Sequence, residues 1–280
     1  MRHANSKIWF ITGISSGIGK ALAEAVIDKH DFVIGTFRNE QQVDDFNAEY
    51  AGEAFALQLD VTNSDDIARA FHTINTMFGR IDVLVNNAGF GFAGAIEETS
   101  IEESRAIMEA NFFGALQITQ AALPLMRAQK SGHIIQISSQ AGFKAGPGFG
   151  VYNASKFALE GFSEALAMEV ANLGIKVVLV ELGLFRTNFA GSSFKNAANQ
   201  IDDYKNSAGA FRRAIPRING TQESDPLKAA DAIIQIAYTD KPPLRLALGK
   251  SAVAAITGKL QQVQKELDEN MELTLSVGFV

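Results

Sequence analysis

Short, almost wholly apolar runs alternate along this chain with longer segments whose apolar residues recur every three or four positions. The runs are Ile8–Thr12, Phe32–Thr36, Ala54–Leu59, Asp82–Val85, His133–Ser138, Lys176–Glu181 and Arg245–Leu248. Runs of this length with little polar alternation predict strands covered on both faces, the pattern of a parallel sheet. Helical spacing is read over 20–29, 64–78, 102–129, 152–173, 225–238 and 252–269. Strand and helix alternate, so the expected fold is α/β: a doubly wound, Rossmann-like parallel sheet with helices on both faces and right-handed crossovers. No linker divides residues 1–280, so one domain is expected. The pattern breaks after Gly183. Residues 184–220 mix Gly, Asn, Ser and aromatics, with weak helical periodicity over 196–213. Such a segment is too long for an ordinary connection and is expected to be a lid over the strand ends. Residues from about 250 to 280 form a C-terminal extension.

The first strand runs into Thr12-Gly13-Ile14-Ser15-Ser16-Gly17-Ile18-Gly19, followed at once by a helical pattern. Strand, glycine-rich turn and helix together open a dinucleotide fold. Gly13 allows the tight turn, Gly17 lets the backbone approach a pyrophosphate, and Gly19 lets the helix pack on the strand. Ser15, Ser16 and Ile18 lie in the same turn and are cofactor candidates with it. The free N–H groups and dipole of a helix start favour an anion there. After the second strand an acid would hold the ribose hydroxyls of NAD, but the residues are Thr36-Phe37-Arg38-Asn39. Arg38 suits a 2′-phosphate, unless it is simply solvated. NADP(H) is therefore favoured, with NAD(H) as the alternative. Asp60, at the end of the third strand beside Val61, either accepts from an adenine amino group or caps the next helix. Asn86-Asn87-Ala88-Gly89 closes the fourth strand. The Asn pair can tie neighbouring backbones, and the small Ala88 and Gly89 let a ribose lie close.

The candidate chemistry lies between Ser139 and Lys156. Ser139, Tyr152 and Lys156 can converge, because Tyr152 and Lys156 are four apart and share one helix face. An ammonium beside a phenol favours phenolate, so Lys156 is expected to lower the Tyr152 pKa. Asn111 stands inside a helical segment, where Asn is a poor fit unless its side chain has a local bond.

Composition narrows the classes. The chain has 280 residues, 47% hydrophobic and 20% charged, which suits a globular protein with a sizeable core. A net charge of -6 without a basic run argues against a nucleic-acid partner. With no cysteine there is neither a disulfide framework nor a thiolate metal site, and no metal is expected. No apolar run approaches the ~18 residues of a membrane helix, and the polar N-terminus has no signal-peptide pattern. The expected location is cytoplasmic.

Taken together, Thr12-Gly-x-x-x-Gly-x-Gly19, Asp60-Val61, Asn86-Asn87-Ala88-Gly89, Asn111, Ser139 and Tyr152-x-x-x-Lys156 resemble the short-chain dehydrogenase/reductase family. The resemblance spans roughly residues 6–248. It implies a seven-stranded sheet in the order 3-2-1-4-5-6-7, and a carbonyl–alcohol interconversion by hydride transfer with a nicotinamide cofactor. It implies that Tyr152 is the acid/base, that Lys156 tunes it and holds the nicotinamide ribose, and that Ser139 holds the substrate oxygen. Asn111 would keep a water linking Lys156 to solvent. It selects Ser139 over Ser138 by spacing to the tyrosine. Gly183 and Thr187 match the segment that touches the nicotinamide carboxamide, with Leu182 where the family usually has proline. The stretches Phe185–Phe189 and Pro243–Leu246 resemble bacterial relatives of the retinol and 17β-hydroxysteroid dehydrogenases. The family's subunits often pair through the helices read at 102–129 and 152–173, so a homodimer or homotetramer is expected. A non-catalytic NADP(H) sensor is the alternative, although sensors lose the tyrosine or lysine that this chain keeps. A longer-branch epimerase or dehydratase fits the glycine spacing poorly.

Ligands of open α/β sheets lie beyond the carboxyl ends of the strands. The loops there carry Phe90 and Phe92, Phe143 and Phe149, and Phe185, Phe189 and Phe194. They are expected to line an apolar pocket for a hydrophobic ketone, aldehyde or secondary alcohol. Several of the 20 phenylalanines can equally belong to the core.

Overall fold

The strands expected from the apolar runs all form, and they lie side by side. In the computed structural model, residues 6–191 and 193–279 are described. The polar N-terminus up to residue 5, Ser192 within the lid segment and Val280 lie outside them. In chain order the elements are β1 (Ile8–Ile11), α1 (Gly17–Asp28), β2 (Phe32–Phe37), α2 (Glu40–Glu49), β3 (Ala54–Gln58), α3 (Ser64–Met77), β4 (Val83–Asn86) and β5 (Gly91–Ala93). There follow α4 (Ile101–Met108), α5 (Gly114–Gln129), β6 (Gly132–Ser139), α6 (Gly150–Val170), β7 (Ile175–Leu182), β8 (Phe194–Asn196) and α7 (Ala208–Ile218). The chain closes with α8 (Pro226–Ala237), β9 (Arg245–Leu248), α9 (Lys250–Glu269) and α10 (Met271–Leu275).

Seven strands form one sheet in the order β3-β2-β1-β4-β6-β7-β9, and every pairing is parallel. This is the expected Rossmann-like order. Successive residues of β1 serve opposite faces, as the two-residue repeat of a strand requires. Trp9 and Ile11 join a core with α1 and α8, and Ile8 and Phe10 join a second core with α3 and α5. None of the described helices is long and apolar enough to cross a membrane.

Three features depart from the sequence reading. The single helix expected over 102–129 is two helices, α4 and α5, joined by a π-helical turn at Glu109–Phe113. The turn holds Asn111, whose side chain is tied to the backbone of Phe90 on both its oxygen (3.0 Å) and its nitrogen (3.1 Å). The wider turn admits one more residue than an α-helix would and aims Asn111 inward. Second, β5 and β8 pair in a small parallel sheet outside the main one. Third, α2 forms between β2 and β3, capped by the Asn39 side chain.

The β5–β8 pair places the lid segment against the loop after β4. Polar contacts hold it there. The buried Glu98 carboxylate accepts from Arg212 on α7 at 3.1 Å through both oxygens and from the Ile201 N–H at 2.9 Å. Glu103 accepts from the Ala198 N–H, and the Tyr204 hydroxyl donates to Glu97. Helix α7 extends to Ile218, five residues past the weak periodicity.

The Asn pair ties the carboxyl end of β4 to its neighbours, Asn87 to the end of β1 and Asn86 to α5 and β6. Asn86 is buried and donates to Thr119 (2.9 Å) and Gln136 (3.0 Å), bracing β4 against α5 and β6. Asn87 donates to the carbonyls of Thr12 (2.9 Å) and Gly13 (2.8 Å). Gly19 is what lets Asn87 in: a Cβ there would lie 2.3 Å from Asn87 Nδ2 and 2.4 Å from the Gly13 carbonyl oxygen. Gly19→Ala is expected to push Asn87 off both carbonyls and destabilise the fold by about 1–3 kcal/mol, as overpacking does. Urea denaturation measures it, and an unchanged midpoint would contradict this packing.

Candidate active site

Strand order reverses between β1 and β4, so the loops leaving them run to opposite sides and open a crevice between them. The turn after β1 supplies its floor. Gly13 and Gly17 have φ of +69° and +61°, a left-handed backbone that suits glycine. Ser16 caps α1 with extended backbone but makes no side-chain bond to the helix, so the first N–H groups are open to a ligand. The crevice widens into a cavity of about 1390 Å³ that reaches from this turn to the lid.

Most predicted cofactor residues line that cavity. Ser15, Ser16, Gly17 and Ile18 form one wall with Gly13. Arg38, Asp60 and Val61 lie at the ends of β2 and β3, and Asn87, Ala88 and Gly89 at the end of β4. Gly183 and Thr187 line it from the loop after β7. Gly19 does not; it sits beneath, as the spacer for Asn87. The Arg38 side chain is exposed and makes no ion pair among the described residues. Of the two readings of Asp60, the structure removes the cap. Asn63 caps α3, accepting from the N–H groups of Asp65 and Asp66. Asp60 Oδ1 instead holds Thr62, at 2.9 Å to its N–H and 2.7 Å to its hydroxyl.

Leu182, where the family usually has proline, is the last residue of β7. It pairs with Ser139 on one side and Leu248 on the other, and the next N–H, that of Gly183, bonds Leu248 at 2.9 Å. A leucine keeps the strand regular up to the site, and pairing on both sides holds the loop that a proline would stiffen. Gly183 is needed for that closeness, since a Cβ would meet Ser251 Oγ at 2.3 Å.

Ser139, Tyr152 and Lys156 do converge. Ser139 ends β6, and its hydroxyl accepts from the Ala141 N–H at 3.1 Å and faces the Leu182 carbonyl at 3.4 Å. Tyr152 and Lys156 stand one turn apart on α6, both buried. A position missed in the sequence, Asn153, fixes the loop between them. It donates to the carbonyls of Ala141 (2.7 Å) and Lys144 (3.3 Å) and accepts from the Gly146 N–H. An Asn beside a candidate tyrosine, facing a Gly/Pro-rich loop, was its only signal.

The electrostatics correct one expectation. The Tyr152 pKa is raised, not lowered: burial pushes it up, and a side-chain hydrogen bond with Ser139 opposes this only in part. The reason lies in the surroundings. The phenol stacks on Phe149 with ring centroids 4.2 Å apart and meets Phe189 at 5.8 Å. The Lys156 ammonium is turned to the Ile137 carbonyl, 2.9 Å away. Burial lowers Lys156 itself to about 8, with Glu160 pulling the other way. Tyr152 is therefore a proton-bearing phenol at neutral pH.

Asn111 lies behind this group rather than on the cavity wall. Its amide hydrogens are spent on the Phe90 carbonyl and on Ser155 Oγ (3.1 Å), and its oxygen accepts from Phe90 N–H. Ser155 in turn donates to the Tyr152 carbonyl at 2.8 Å. Asn111 thus braces α6 against the loop after β4. Any water it holds has to use something other than its N–H groups.

The phenylalanines divide. Phe90, Phe149, Phe185 and Phe189 line the cavity. Phe92, Phe143 and Phe194 do not. Phe92 is buried in a small core with Ile107 and Tyr152. Phe194 lies in a second layer, against Phe149 at 6.1 Å and Phe189 at 5.8 Å. Phe143 follows the short turn after β6 and stays half-buried outside the wall. In their place α7 brings Phe211, Ile215 and Ile218 to the cavity. Their i, i+4, i+7 spacing is a helical stripe that crosses the end of the weakly periodic segment.

The residues fit a dinucleotide. A left-handed glycine turn, open helix N–H groups and small residues at the end of β4 leave backbone, not side chains, at the floor of the crevice. Comparison with known proteins agrees. The family described as short chain dehydrogenase matches residues 7–198. A 3-ketodihydrosphingosine reductase of Bacteroides thetaiotaomicron is 40% identical over 246 residues, 87% of this chain and 88% of that protein. An NADPH-dependent 3-dehydrocapnine reductase of Ornithobacterium rhinotracheale is 37% identical over 199 residues, 69% of this chain and 70% of that protein. A solved structure of a short-chain dehydrogenase from Streptomyces avermitilis superposes with a TM-score of 0.92 at 42% identity, covering 99% of this chain and 100% of that one. With the matching sheet order and the glycine turn, these place the chain in the short-chain dehydrogenase/reductase family, oxidoreductases acting on CH–OH groups.

Proposed function

We propose that this protein is an NADP(H)-dependent carbonyl reductase for hydrophobic ketones or aldehydes, with Tyr152 as proton donor. The observation that carries this reading is the neutral, buried phenol of Tyr152 beside the Ser139 hydroxyl at the base of an aromatic-walled cavity. When bound, the cofactor supplies the hydride. The chain's own part is to place the carbonyl and move a proton. Ser139 and Tyr152 offer two donors to the carbonyl oxygen, so charge developing there is held by hydrogen bonds already in place. Tyr152 then gives up its proton to that oxygen.

NADPH is supported by Arg38, the first exposed cation after β2, with no carboxylate in the Thr36–Asn39 stretch. The name of the Ornithobacterium relative supports it too. The hydrophobic substrate is supported by the Phe149, Phe189, Phe211, Ile215 and Ile218 wall. Both relatives are named as reductases of a 3-keto or 3-dehydro compound, which supports a ketone.

Following NADPH consumption with a panel of ketones tests the reading. Bulky aryl and long-chain ketones are expected to turn over faster than small polar carbonyls, and turnover confined to the latter would overturn the apolar-pocket assignment. Tyr152→Phe is expected to lose about 10²–10⁴-fold in kcat with NADPH still bound. Near-normal turnover in that variant would remove Tyr152 as donor. Arg38→Ala is expected to raise the KM for NADPH about 10–100-fold, the worth of a charge-assisted bond, and to leave that for NADH unchanged. Equal changes for the two cofactors would count against a 2′-phosphate contact.

A further inference from the structure

The C-terminal extension leaves the body of the protein with an apolar stripe still open. Helix α9 is rooted on the body: Ser251 Oγ accepts from the Leu184 N–H at 2.9 Å, Ala252 is buried, and Ala255 lines the cavity. From Leu260 onward every described residue is exposed. Such a helix gains little from its own hydrogen bonds in water, and most helical stability in proteins comes from packing an apolar face. The contacts along its polar side are all exposed i, i+4 pairs, which add little. They are Lys265 to Glu269 at 3.6 Å, Gln262 to Glu266 at 2.7 Å and Gln264 to Asp268 at 2.8 Å.

The stripe has a definite period. Val253, Ile256, Leu260, Val263 and Leu267 recur at intervals of three, four, three and four. This is the seam of a two-helix coiled coil, narrower than the face of a helix that covers a globular core. The seam runs about 21 Å along the helix. Val253 and Leu260 are 53% and 55% exposed, and Val263 and Leu267 46% each.

The flanking charges choose the partner. Lys259 and Glu266 stand seven apart on one edge of the seam, and neither has an ion-pair partner among the described residues. In an antiparallel pair of copies, twofold symmetry sets Leu260 against the partner's Val263 and Ile256 against the partner's Leu267. Lys259 then meets the partner's Glu266, and Glu266 meets the partner's Lys259. On the other edge Thr257 meets the partner's Gln264. A parallel pair would set Lys259 beside the partner's Gln264 and Glu266 beside the partner's Met271, so it would use neither charge. A lipid surface suits the helix less well. Residues 259–279 hold two lysines against four acids, where a helix lying on anionic lipid is rich in Lys and Arg.

We propose that α9 is a self-association helix: it pairs antiparallel with α9 of a second copy of this chain, through the Val253–Leu267 seam and two Lys259–Glu266 ion pairs. This face is separate from the helices at 102–129 and 152–173, and its use does not depend on the reductase reading.

Sedimentation equilibrium of the full chain tests the pairing. Leu260→Asp is expected to halve the assembled mass. Lys259→Glu and Glu266→Lys each set two like-charged pairs along the seam, so each is expected to weaken association roughly tenfold, and the double reversal to restore it to within about twofold. Variants that act only by loosening the helix would not restore each other. The chain has no cysteine, so introduced thiols report the direction of the pair. A mixture of Ile256→Cys and Leu267→Cys is expected to give a disulfide-linked dimer holding one chain of each kind, while neither variant cross-links alone. A wild type that is monomeric at every concentration, a double reversal no better than the single ones, cross-linking of either variant with itself, or binding to phosphatidylcholine vesicles in place of self-association would each overturn the proposal.

Discussion

One side chain holds the site open. Asn87 donates both amide hydrogens across the gap between the ends of β1 and β4, to the carbonyls of Thr12 and Gly13. The ladder between the two strands ends with the bond from the Thr12 N–H to the Val85 carbonyl at 3.0 Å, and beyond it the chains leave in opposite directions. Gly19 leaves the room Asn87 needs, and Gly13 turns the backbone beneath it. The crevice that receives a dinucleotide is the space left over once these contacts are made. Its floor is backbone because any side chain at Gly13 or Gly19 would occupy it or break the clamp.

The chemistry above that floor is governed by desolvation. A phenol, an ammonium and the carboxylates of Glu160 and Glu181 are packed where water is scarce, and burial alone pushes each toward its neutral form. Tyr152 stays protonated because the rings of Phe149 and Phe189 exclude water and only a hydrogen bond opposes them. Lys156 donates to the Ile137 carbonyl, and burial depresses it only to about 8. The phenol is thus neutral and the ammonium charged over the same pH range, as the proposed proton donation to a carbonyl requires.

Specificity has a different origin. The wall facing Tyr152 is built largely from rings and aliphatic chains on the segment after β7, and that segment is fastened by the β5–β8 pair and by acids between Glu97 and Glu103. Glu97, Glu98 and Glu103 take contacts from Tyr204, Arg212, Ile201 and Ala198. The apolar residues that line the cavity and the polar ones that hold the segment in place alternate along the same stretch of chain. Changes in pocket shape can therefore arise without disturbing Ser139, Tyr152 or Lys156, which sit on the sheet and on α6.

The sequence by itself determined the sheet, its strand order through the family resemblance, the glycine turn, and the grouping of Ser139, Tyr152 and Lys156. Those features are local: runs of buried residues, a turn that only glycine permits, and a four-residue helical spacing. Tertiary structure alone decided what no local pattern carries. Asp60 is free of the α3 cap because Asn63 is better placed. Asn111 sits in a widened turn because Phe90, some twenty residues earlier, claims its amide. Phe92 and Phe194 fall behind the pocket wall because β5 and β8 pair, and three-residue strands have no period to read. The direction of the Tyr152 pKa depended on which rings cover the phenol, and Leu182 is held on both sides because β6 and β9 flank it. Each of these follows from contacts between distant parts of the chain, whose distances and burial exist only once the fold has formed.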